Sequence, residues 1–147
     1  MSDGLLDDLV RRGLLQPKPR DPRRVRLWLD RSLKDLDVVT MLSEVDGQRA
    51  MAVAYEAGYR ACAGLLDLDG YRVTSQPGHH RAAIDAATVV LGAEHRALLR
   101  RLDRARRFRN DTLYGDVAPV ASKELSQLVT DVKWLLGELE WRLRDAD

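Results

Sequence analysis

The chain has 147 residues, of which 45% are hydrophobic, and its 24 basic and 23 acidic side chains leave a net charge of only +1. This length predicts one domain with a real core, and the balanced charge means that any affinity for nucleic acid has to come from a local patch. A single cysteine excludes an internal disulfide, no window reaches about 18 uninterrupted apolar residues, and the first residues form no secretory signal, so we expect a cytoplasmic protein.

Helical periodicity predicts an all-α fold, an up-and-down bundle of four to five main helices with a short N-terminal helix added. Apolar residues between Leu5 and Val10 predict the short helix, which ends near Gly13 and is followed by a proline-containing connector. We therefore expect residues 1–20 to form the N-terminal helix and connector, and residues 21–147 the bundle, within a single domain. No segment alternates at period two for long enough to predict a strand.

The next two helices differ in their apolar residues. Asp21 and Pro22 predict the start of a helix that ends near Val45. Its core face consists of apolar residues at helical spacing: Val25, Leu29, Leu33 and Leu36. Asp46 predicts the cap of the following helix, which contains Cys62 as a core residue and ends at Asp69 and Gly70. A seam of small residues along it would let a neighbouring helix approach closely: Ala50, Ala54, Ala57, Ala61 and Gly64.

Three further helices are predicted after a loop at residues 71–78. They run from about His79 to Leu91, from about Ala93 to Tyr114, and from a cap at Ser122 towards the C-terminus. Leucine and valine spaced by three and four residues predict the core face of the last helix: Leu125, Leu128, Val132, Leu135, Leu139 and Leu143. Trp134 and Trp141 lie on its opposite side, which predicts burial against the N-terminal helix or a second subunit.

The helix that ends at Tyr114 carries arginines on two sides. Arg109 lies about 20° from Leu102, in the middle of the apolar side. Because an unpartnered buried guanidinium is very costly, we expect Arg109 to be paired, solvated through a cleft, or directed at a second subunit. Four arginines lie within about 80° of one another on the opposite side: Arg96, Arg100, Arg104 and Arg107. Such a row is suited to phosphate groups, and the plainer interpretation is a solvated face.

No conventional catalytic or metal-binding motif is present. His79 and His80 are adjacent, so on a helix they point about 100° apart, and His95 is expected to be a core or interface histidine; we expect no metal. The sequence has no glycine-rich phosphate loop and no nucleophile-elbow serine, so it does not support hydrolase or dehydrogenase chemistry, and we expect no cofactor.

The run Arg109-Asn110-Asp111-Thr112-Leu113-Tyr114, followed by Gly115-Asp116, resembles the signature of HEPN (higher eukaryotes and prokaryotes nucleotide-binding) domains. These are small helical bundles whose motif is an arginine, a polar residue, a few more positions and then a histidine. Here Tyr114 stands in the histidine position. Three upstream segments are similar to the smaller bacterial members: Tyr55-Glu56-Ala57, Gly70-Tyr71-Arg72 and Gly78-His79-His80-Arg81.

The resemblance implies a homodimer in which the motifs of both subunits meet in a basic cleft. Many such domains are metal-independent endoribonucleases, and bacterial members are often toxins paired with a nucleotidyltransferase-type antitoxin. The resemblance also implies that Arg109 and Asn110 engage phosphate and that Tyr114 assists, with His79 and His80 as the only evident substitutes for the motif histidine.

Tyrosine in the motif position favours binding over cleavage. A phenol with a reference pKa of about 10 is a poor base at neutral pH. We therefore interpret the chain as a HEPN-like RNA- or nucleotide-binding domain, non-catalytic or weakly active, with a phosphate-binding arginine at a dimer cleft. The alternatives are an endoribonuclease toxin and a helical DNA-binding regulator.

Overall fold

The computed structural model of the chain describes residues 2–114, 120 and 122–146, with only the backbone of residues 2, 3 and 111–114. Within these residues six α-helices follow one another: α1 (Ser2–Arg11), α2 (Pro22–Ser43), α3 (Gly47–Leu68), α4 (His79–Leu91), α5 (Arg96–Tyr114) and α6 (Ser122–Ala146). Two short strands, β1 (Leu15–Pro17) and β2 (Tyr71–Val73), form a small antiparallel sheet. The predicted all-α bundle is confirmed.

Helix α3 is the centre of the bundle and packs against α2, α4, α5 and α6. Its small-residue seam is buried as predicted. A Cβ atom at Gly58 would lie 2.8 Å from Leu102 Cδ1 of α5, and one at Gly64 would lie 2.9 Å from Leu139 Cδ2 of α6. The absence of side chains at these two positions therefore lets α5 and α6 approach α3 closely.

Local capping sets the helix boundaries. The Asp21 carboxylate accepts a hydrogen bond from the backbone N–H of Arg24 at 3.2 Å, and Asp46 accepts one from that of Arg49 at 3.1 Å. Gly92 ends α4 with a φ of +105°, a conformation that favours glycine. The chain then makes one 3-10 turn before α5 begins, so the predicted helix from about Ala93 starts three residues later than expected.

The two strands correct the prediction that the chain contains none. Leu15 pairs with Val73 and Pro17 with Tyr71. Strands of three residues are too short for the alternation of apolar and polar residues to be recognised in the sequence. The hydrogen bonds between β1 and β2 connect the segment after α1 to the segment between α3 and α4.

The predicted core face of α2 is wrong at one position. Leu33 is 42% exposed, while Ser32 and Asp35 are buried in its place. Asp35 tolerates burial because Arg60 of α3 and Arg31 both form ion pairs with its carboxylate. The core face of α2 thus includes a charged residue whose partners come from α2 and α3.

The N-terminal helix does not cover the tryptophans of α6. Helix α1 packs on α4 and β1, where a second apolar cluster forms. Its buried members come from four parts of the chain: Leu6, Leu9, Leu14, Leu15, Leu66, Ala82, Ala83 and Ala86. Trp134 and Trp141 remain 37% and 56% exposed, so the expectation that α1 buries them is wrong. Trp134 instead packs on the ring of His95, 4.4 Å away.

Candidate phosphate-binding groove

The four arginines predicted to form a row line one groove between α4 and α5. The groove has a volume of about 770 Å³, and α4 contributes a fifth arginine, Arg81, to its wall. Two aspartates, Asp85 and Asp103, also line it. The groove thus has a positive excess of three charges on a chain whose net charge is +1, a local patch of the kind that nucleic-acid binding requires.

Three of these arginines have no carboxylate partner within the described part of the chain. Arg81 pairs with Asp85 at 3.6 Å and Arg107 with Asp103 at 3.5 Å. Arg96, Arg100 and Arg104 form no ion pair with any described residue, and all three are exposed. They follow at intervals of four residues, which is a rise of about 6 Å along the helix for each step. Their charges are therefore available to a ligand that carries a row of anionic groups.

Arg109 lies at the C-terminal end of α5, beside a cluster of polar and aromatic residues. Its Nη2 atom is 2.9 Å from Oε1 of Glu56 on α3, and its guanidinium carbon lies 5.9 Å from the centre of the Tyr55 ring. The side chain retains 29% exposure. Of the three outcomes expected for an arginine on the apolar side, the structure shows pairing, across the contact between α3 and α5.

His80 is held at the same end of the bundle by two tyrosines of α3. Its Nδ1 atom forms a 2.8 Å hydrogen bond with the hydroxyl of Tyr55, and its ring stacks on Tyr59 with 4.2 Å between centres. The His79 ring is 4.6 Å away. Residues 79 and 80 thus lie close to the Arg109 region, a proximity that their sequence positions do not reveal.

The ionisation of this cluster follows from burial and from the positive charges around it. The pKa of His80 is lowered to about 4, mainly because burial disfavours the charged imidazole. The nearby groups His79, Arg109 and Arg106 lower it further. Burial also raises the pKa of Tyr59 to about 12 and raises that of Tyr55 further. At neutral pH the imidazole and both phenols are therefore uncharged, and they lie beside charged arginines.

Asp103 joins the cluster to the groove. Its carboxylate accepts a 2.8 Å hydrogen bond from Nε of Arg106, whose charge acts on His80, and it pairs with Arg107 in the groove. The Arg106 side chain is 17% exposed, so it lies between the two regions rather than on the open surface. The row of arginines therefore ends next to the cluster of aromatic rings formed by His79, His80, Tyr55 and Tyr59.

The two predicted site residues that follow Arg109 add no described contact to this region. Asn110 is exposed and forms no hydrogen bond with the described residues, and the side chain of Tyr114 lies outside them. Cys62 is fully buried, as predicted, and burial raises its pKa to about 12. In the described ranges, no group of three or more His, Cys, Asp or Glu side chains is arranged to hold a metal ion.

Sequence reasoning missed several members of these sites as functional residues. Tyr55 and Tyr59 are four residues apart and so share one side of α3, which was the available signal. Glu56 and Arg81 lie within segments that resemble the HEPN family, but nothing local identifies their partners. Contacts between helices distant in sequence assign these residues to the site.

Comparison of the chain with known protein families, with curated proteins and with solved structures finds no match. Across the described residues, no helix is both long and apolar enough to cross a membrane.

Proposed function

We propose that this protein is a HEPN-like domain that binds single-stranded RNA, with the phosphates of the strand along the groove between α4 and α5. The observation that carries the proposal is the set of three arginines without carboxylate partners among the described residues, Arg96, Arg100 and Arg104. Guanidinium groups bind phosphate through paired N–H donors, and contacts with the phosphate backbone supply most of the sequence-independent affinity for nucleic acids.

Packing of α5 favours a single strand over duplex DNA. A recognition helix inserts an exposed face into the major groove. The apolar side of α5 is instead buried at Leu99, Leu102 and Ala105, and α4 forms the opposite wall of the arginine groove. A flexible single strand fits a groove between two helices better than a rigid duplex does, which disfavours the DNA-binding regulator.

The proposal is tested by fluorescence anisotropy with a labelled mixed-sequence RNA of 20 nucleotides. Each phosphate contact on a single strand contributes about −0.7 to the slope of log affinity against log salt. The triple variant Arg96→Gln, Arg100→Gln, Arg104→Gln is therefore expected to bind much more weakly and to reduce the slope by about two.

A matched triple variant removes the same charge outside the groove, at exposed basic residues: Arg23→Gln, Lys34→Gln and Arg144→Gln. It is expected to retain the wild-type slope. Equal weakening in both triples would show that binding follows net charge rather than the groove, and no binding by the wild type would refute the proposal.

RNA cleavage is the second candidate function, favoured by the placement of His80 in one cluster with Arg106 and Arg109. Binding is preferred because a base with a pKa of about 4 is far from the value near the operating pH that acid–base catalysis needs. Incubation of RNA in EDTA with wild type, Arg109→Ala, His80→Gln and Tyr114→Phe decides between them. Cyclic-phosphate ends that disappear in the Arg109 and His80 variants would establish cleavage.

A homodimer belongs to the same proposal. Its support in the structure is the exposed aromatic pair of α6, Trp134 and Trp141, which no described helix covers. Sedimentation velocity at micromolar concentration tests it. A monomer would remove the symmetric cleft and leave the groove of a single chain as the binding surface.

A further inference from the structure

A second cavity, of about 390 Å³, opens on the other side of α5, against α6 and the start of α3. Its apolar lining is formed by four residues: Met51, Ala105, Phe108 and Leu128. Its polar wall consists of Arg101, Asp131 and Gln127, and charged residues stand at its edge: Arg104, Lys123 and Glu124. An apolar cavity of this size with a few convergent polar groups is typical of a small-ligand site.

Arg101 is held in one orientation by a buried carboxylate. Asp131, only 3% exposed, accepts hydrogen bonds from Arg101 Nε at 2.7 Å and from Arg101 Nη2 at 2.9 Å. Gln127 donates a third, at 3.1 Å. A guanidinium has five N–H donors, so the pair with Asp131 leaves three of them to a ligand. The cavity wall thus presents a rigid set of donors on a guanidinium whose charge Asp131 compensates.

Arg104 lines both this cavity and the α4–α5 groove. It is exposed and has no ion pair with any described residue. A phosphate at Arg104 would therefore lie between the two sites, with its nucleoside on one side and the rest of the strand on the other. Lys123 also lines the cavity and adds a positive charge, while Glu124 adds a negative one.

We propose that the cavity between α5 and α6 binds a guanine base of the RNA, with the 5′-phosphate of that nucleotide at Arg104 and Lys123; this inference rests on the proposed function. Guanine presents O6 and N7 as adjacent acceptors, which match the fork of donors on an arginine. Adenine places an amino donor where guanine has O6, and cytosine presents an amino donor as well. Because Arg101 carries donors alone, it pairs with guanine and disfavours adenine and cytosine, while uracil presents O4 as a single acceptor and can accept only one of the two hydrogen bonds.

Isothermal titration of the whole chain with 5′-GMP, AMP, CMP, UMP and ribose 5-phosphate tests the inference. GMP is expected to bind at least about tenfold more tightly than AMP, the lower part of the range for a bidentate arginine contact. Ribose 5-phosphate is expected to bind more weakly than any of the nucleotides.

Two variants assign this preference to the cavity. Arg101→Lys keeps the charge opposite Asp131 but loses the planar fork, so it is expected to bind GMP and AMP equally. Its matched control is Arg60→Lys, which makes the same change at the ion pair with buried Asp35 and should leave the GMP preference unchanged. Gln127→Trp fills the cavity from an exposed position and is expected to abolish GMP binding. Asp131 loses one hydrogen bond but keeps both bonds from Arg101, so the melting temperature should fall by only a few degrees.

Equal affinity for the four nucleotides, or GMP binding that survives Gln127→Trp, overturns the inference. RNA binding that depends on the arginine groove but shows no preference for guanine leaves the proposed function standing and rejects the guanine site. Conversely, the protein could prefer GMP, lose that preference in Arg101→Lys and yet bind no RNA. That result supports guanine binding in the cavity and rejects the proposed function.

Discussion

The two sides of α5 use the same residue type in opposite ways. On the side that faces the other helices, Arg101, Arg106 and Arg109 each contact a carboxylate at 2.7–2.9 Å. In the groove towards α4, Arg96, Arg100 and Arg104 have no carboxylate within the described part of the chain. Burial requires a charge to be compensated by the protein, whereas exposure in a groove leaves the charge to a ligand. The surroundings of each arginine, rather than its type, decide whether its charge is compensated within the protein.

The largest effect on stability is expected from the inner side. Arg101→Leu leaves the buried carboxylate of Asp131 with Gln127 as its remaining partner, and should lower the free energy of unfolding by about 3 kcal/mol. The matched change in the groove, Arg100→Leu, should alter it by less than about 0.5 kcal/mol. Urea denaturation followed by circular dichroism measures both values. Similar losses of unfolding free energy in Arg101→Leu and Arg100→Leu would contradict the difference drawn between the two sides of α5.

A smaller effect is expected at Arg109. Arg109→Gln removes the ion pair with Glu56, in which both side chains are about one-third exposed, and should cost about 1 kcal/mol. It should also raise the pKa of His80, because the positive charge of Arg109 lowers that pKa. An NMR titration of the His80 ring measures the shift. Arg100→Gln, in the groove and without an ion pair among the described residues, is the control and should leave the pKa of His80 unchanged. A shift in both variants would mean that charges in the groove also act on His80.

The effect expected to be smallest at neutral pH comes from His80, whose contribution to stability changes with acidity. Its folded-state pKa of about 4 lies below its ordinary value of 6.5, so the unfolded chain binds more protons between these values. Stability should therefore fall as the pH drops from about 6.5 towards 4. Thermal melts at a series of pH values should show a weaker decline for His80→Gln than for wild type.

The control for this acid dependence is His95→Gln, which lies against Trp134 and away from the cluster. It should decline with pH as the wild type does. An unchanged decline in His80→Gln would mean that other groups account for the acid sensitivity of the fold.

Features that depend on neighbours along the chain could be predicted from the sequence. The caps at Asp21 and Asp46 and the stop at Gly92 are set by hydrogen bonds and backbone conformation within a few residues. The row of arginines follows from the fixed rotation of 100° per residue, which places Arg96, Arg100, Arg104 and Arg107 on one side of any helix. These are the features in which prediction and structure agree.

Features that depend on which helices meet were decided by the tertiary structure. Glu56 lies 53 positions before Arg109, and Tyr55 lies 25 positions before His80, so helical periodicity does not connect them. Leu33 is exposed while Asp35 is buried and paired with Arg60, and α1 lies on α4 rather than on the tryptophans of α6.

By itself, the sequence determined the helices, their caps at Asp21 and Asp46 and the face of α5 on which the arginines gather, because backbone hydrogen bonding and helix rotation act over a few residues. Packing brought carboxylates of other helices to Arg101 and Arg109, whereas Asp103, the partner of Arg106 and Arg107, lies on α5 itself. The pairing of Arg109 and the two cavities beside Arg104 are therefore properties of the assembled bundle.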